Sequence, residues 1–86
     1  MVQIDSFDEI ASATVAMMKR NLRSMKDDMD VVYSVAILSR LHRVGAYNIA
    51  DDNDMLGVMK ERVELLKYSS DKEFCESRIQ DIISKK

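Results

Sequence analysis

Val31-Val32-Tyr33-Ser34-Val35-Ala36-Ile37-Leu38 is the most apolar run in this 86-residue chain, and no charge interrupts it between Asp30 and Arg40. Its β-branched residues suit a buried strand as well as a helix, so periodicity alone does not decide. The remainder of the chain does. It offers no second run of strand character, and a lone strand would leave both backbone edges without partners. The run is therefore read as the middle of a helix over 30–44. On that helix Val35 and Ile37 point about 200° apart, so apolar side chains reach nearly all the way round. A helix with that pattern is expected to be buried on every side.

Upstream, Ser6-Phe7-Asp8-Glu9 has the form of a capping box, in which serine and glutamate satisfy the first free backbone N–H groups. Behind it Phe7, Ala11, Thr14, Met18, Leu22 and Met25 recur at helical spacing, with Ile10 and Met17 widening the stripe. The spacing predicts a first helix over 7–26, acidic at its start and basic toward its end, as the helix dipole favours. Asp27, Asp28 and Asp30 supply candidate N-caps for the central helix. Gly45 is placed to end it as the residue that turns through positive φ, with a Leu41–Ala46 contact beside it and a loop over 46–50.

Asp51-Asp52-Asn53-Asp54 opens a third helix, over 52–68, whose inward stripe is Leu56, Met59, Val63 and Leu66. A second capping box, Ser70-Asp71-Lys72-Glu73, begins a fourth over 71–84, lined by Cys75, Ile79, Ile82 and Ile83. The chain has no proline, and the short links favour antiparallel neighbours. The expected fold is all-α: a small compact four-helix domain spanning 1–86, with helix 30–44 at its centre. Three short companions cover the Val31, Val35 and Leu38 side of that helix. Tyr33, Ile37 and Val44 lie on the other side and are expected to meet a second copy across a two-fold axis.

Composition narrows the function. Thirteen basic and fifteen acidic residues give a net charge of −2, too balanced to advertise a polyanion-binding surface. A single cysteine forms no internal disulfide and fits a reducing compartment. The first five residues, Met1-Val2-Gln3-Ile4-Asp5, lack the basic and apolar regions of a signal peptide. A cytoplasmic, non-membrane protein is the expectation. Asp51 to Asp54 fail as a calcium loop: counted from Asp52, Leu56 and Val63 stand where oxygen ligands are needed. One histidine (His42) and one cysteine (Cys75) make neither a zinc set nor an evident catalytic group. No cofactor is expected.

The reading is a non-enzymatic interaction module, a regulator, adaptor or inhibitor that works as a homodimer and binds another protein. Candidate partner contacts are Gly57, Met55 and Met17, since glycine admits close approach and thioethers adapt to a bound surface. The rival reading is a nucleic-acid-associated regulator using Lys19, Arg20, Arg23 and Lys26 on the first helix. Against it, the helix following Gly45 would present Asp51, Asp52 and Asp54 to phosphates. A structural subunit of a larger assembly is the third reading.

Overall fold

The computed structural model describes residues 5–84, with side chains from residue 9 onward. Four α-helices form in chain order: α1 (Asp5–Ser24), α2 (Asp28–Arg43), α3 (Asn53–Glu64) and α4 (Ser69–Ser84), with a 3-10 turn, Ile49–Asp51, before α3. Among the described residues there is no strand, and no helix is long and apolar enough to cross a membrane. The side chains of Ser6 and Phe7 lie outside the described residues. α1 already begins at Asp5, ahead of the expected start.

Each boundary has a local cause. The Asp27 side chain caps α2 by accepting the Met29 N–H at 2.9 Å. α2 ends in a Schellman motif: the Gly45 N–H donates to the His42 carbonyl and the Ala46 N–H to the Leu41 carbonyl. Gly45 sits at φ +80°, where a side chain is strained. α1 stops two residues short of the expected 26. The carbonyl of Met25 instead accepts from Arg62 Nη2 on α3. α3 stops at Glu64 rather than 68, because the Lys67 N–H leaves the helical pattern to donate to Asp28 Oδ2 at 3.0 Å. That bond ties the first residue of α2 to the α3–α4 link at one end of the bundle. α4 consequently starts at Ser69, so Ser70 lies inside the helix and not at its cap.

α2 packs most extensively against α4 and also touches α1 and α3, whereas α1 and α4 occupy opposite corners. One continuous core joins Val15, Leu22, Val31, Val35, Leu38, Met59, Val63, Cys75, Ile79 and Ile82. The stripe of α1 turns toward Val15. Ile10 and Met17, expected to widen it, are exposed. The segment read as a loop over 46–50 contributes fully buried Ile49 and buried Ala50, and the 3-10 turn reaches α2, α3 and α4. It plugs one end of the bundle. His42 helps hold it there, accepting the Ile49 N–H through Nδ1 at 3.2 Å.

α2 is not enclosed on all sides, which corrects the first expectation for it. Val31, Val32, Ser34, Val35, Leu38 and Ser39 are buried, but Tyr33, Ile37 and Val44 are 60%, 50% and 63% exposed. Three companions cover about half the circumference of the helix. The far stripe stays open within the chain.

Candidate functional site: an uncovered face on the central helix

The open stripe runs along the outside of α2, between the seams it makes with its neighbours. Ser34 Oγ meets Sδ of Met25, the residue that follows α1, at 3.6 Å, which marks the α1 side. Ala36, Ser39, Arg40 and Arg43 border a cleft with Arg78, which marks the α4 side. Met29, Tyr33, Ile37 and Val44 project between these seams, all exposed. Met17, on α1, is 49% exposed. At the α4 edge, partly exposed Phe74 carries the Arg78 guanidinium 4.8 Å over its ring.

The three residues expected to touch a partner are not brought together. Met17 lies on the outer side of α1. Gly57 lies on the solvent face of α3, where an added Cβ would meet nothing within 4 Å. Its surroundings, Arg23, Asn53, Asp54, Glu61 and Arg62, are largely charged or polar. Met55 is 0% exposed, which corrects its assignment as a partner contact. It faces inward on the first turn of α3, one helical turn before Met59.

The four cations of the basic patch are partly paired within the chain. Lys19 Nζ bridges Asp52 at 3.4 Å and Asp54 at 3.3 Å, and Arg23 Nη2 pairs with Asp54 at 3.1 Å. Two of the four cations are therefore neutralised by α3, leaving Arg20 and Lys26 exposed. Nor do α2 and α3 form a helix-turn-helix, a motif whose turn is only about 3–4 residues. Here the link spans 44–52 and carries the buried 3-10 turn.

Asp52 is the hub of a polar cluster beneath that link. It caps α3 by accepting the Met55 N–H at 3.0 Å, and Tyr47 Oη donates to its other oxygen at 2.8 Å. Burial pushes the Asp52 carboxyl up, but the bonds from Met55, Tyr47 and Lys19 outweigh it and hold the group below the usual carboxylate value of 3.8. The bond to Asp52, with burial behind it, raises the Tyr47 phenol. Asp51 accepts from Asn48 Nδ2. These acids serve as caps and ion-pair partners, and among the described residues no three metal-binding side chains cluster. A group whose native carboxyl is lowered stabilises the fold above its unfolded value, and that contribution is lost as pH falls through the native value. Asp52→Asn keeps an acceptor for the cap but removes the charge. It is expected to lower stability by about 1 kcal/mol at pH 7, and the gap to wild type should close on acidification. Urea midpoints for both proteins at pH 7 and below pH 3.8 check this.

Cys75 is sealed in the core. Burial, with the nearby Asp71 and Glu76 charges, pushes its thiol up to about 11, so it stays protonated at neutral pH and is a poor nucleophile. No family model, curated protein or solved structure matches this chain.

Proposed function

We propose that this chain is a non-enzymatic interaction module whose working surface is the uncovered face of α2, and that it self-associates through that face. The carrying observation is the exposure of Tyr33, Ile37 and Val44 on a helix whose other side is the centre of the core. A tyrosine, an isoleucine and a valine aligned in the open are an apolar surface of the kind that marks interaction sites. Tyr33 is suited to anchor it, bringing large contact area at little conformational cost. Regulator, adaptor or inhibitor describes the role, with a protein as the further partner, and the cytoplasm is the proposed compartment.

The face is modest. A helix of 16 residues is about 24 Å long, and a strip about 10 Å wide along it covers only about 240 Å², against the roughly 800 Å² per partner of a standard interface. Flanking residues such as Phe74 must join, and the expected affinity is micromolar. Sedimentation equilibrium from about 1 to 300 µM tests the reading: the mass should rise from 9.9 kDa toward twice that value. A constant monomer mass across the range overturns self-association.

A further inference from the structure

We infer that the occupant of the α2 face is a second copy of this chain lying antiparallel, with Asp30 of each copy opposite Arg40 of the other. The inference rests on the self-association proposed above and adds its geometry. Asp30, Tyr33, Ile37, Arg40 and Val44 follow one another at spacings of three, four, three and four, and all five are exposed. That alternation is the 3.5-residue seam by which two helices pack along each other. The seam is acidic near the start of the helix, apolar in the middle and basic toward the end.

A surface of this kind is self-complementary only when the copy is reversed. A two-fold axis between Tyr33 and Ile37 sets Tyr33 of one copy against Ile37 of the other, twice, and places Asp30 against Arg40 at both ends. The four layers within α2 then pair apolar with apolar or acid with base, as an isologous interface demands, and Val44 lies beyond the last of them. A parallel copy would set Asp30 on Asp30 and Arg40 on Arg40. Neither residue has an ion-pair partner among the described residues, so both charges are free to serve a neighbour. Opposed helix dipoles favour the reversed arrangement too.

Charge reversal separates the cases. Asp30→Arg alone puts arginine against arginine in both outer layers, and Arg40→Asp alone puts aspartate against aspartate. Each variant should dimerise at least about tenfold more weakly than wild type. Mixed in equal amounts, the two restore both pairs, so a heterodimer with near wild-type affinity should form. Circular dichroism confirms that these surface variants stay folded, and sedimentation with one variant carrying a mass tag identifies the species. Several results overturn the inference. Both variants matching wild type, alone and mixed, would mean that the charges do not meet. Variants that weaken without rescue on mixing place the two residues apart. Each variant equal to wild type but a mixture tighter than wild type reports a parallel seam. In these three cases wild type still dimerises through the face, and only the geometry falls. A monomeric wild type removes the self-association itself.

Discussion

Replacing Ile37 by glutamate should convert the dimer into a folded monomer. Ile37 is half exposed within the chain, so a carboxylate there meets water when the protein is alone and disturbs nothing in the core. In the dimer the same carboxylate would be desolvated against Tyr33 of the other copy, once on each side of the axis. A buried charge without a partner is costly, and two of them should raise the dissociation constant by about 100-fold or more. Light scattering should then report monomer at concentrations where wild type is dimeric, with helical circular dichroism retained. An unfolded Ile37→Glu protein would place this residue in the core and contradict the exposed face.

One residue further along, the expected outcome reverses. Leu38 is 0% exposed and belongs to the central core cluster. Truncation to alanine removes its packing against the companion helices and leaves a cavity, at a cost of about 2–5 kcal/mol. A domain of this size commonly has only about 5–10 kcal/mol of stability in total, so Leu38→Ala should lower the urea midpoint by a large fraction. A midpoint within error of wild type would mean that α2 is turned differently about its axis. Neighbouring positions with opposite phenotypes are the signature of a helix that is half core and half surface.

The sequence revealed what local chemistry decides. Gly45 marks the end of α2 because only glycine enters positive φ without strain, and the motif it closes follows from that. The inward stripes of α3 and α4 were legible because Leu56, Met59 and Val63, and likewise Cys75, Ile79 and Ile82, each repeat at helical period. Tyr33, Ile37 and Val44 were legible as a second stripe, since three short companions cannot enclose a helix.

What the sequence hid depends on tertiary neighbours. Ile49 carries no periodic signal, because a 3-10 turn is too short to repeat, yet it plugs the bundle. The stripe of α1 could be drawn toward Ile10 and Met17 or toward Val15; only the positions of the other helices choose Val15. Lys19 and Arg23 read as free cations until α3 brings Asp52 and Asp54 to them. Arg62 gave no hint that it closes the end of α1. Asp28, one of three candidate caps, holds the Lys67 N–H from the opposite link instead.

Hydroxyl-radical footprinting of Tyr33 as a function of protein concentration tests the central claim, that the uncovered stripe of α2 is closed by a second copy. Tyr33 is 60% exposed in the single chain, so its oxidation rate should be high in dilute solution and fall as the dimer fills. In Ile37→Glu it should stay high throughout. A Tyr33 rate that is independent of concentration in wild type and identical in the variant would contradict the account.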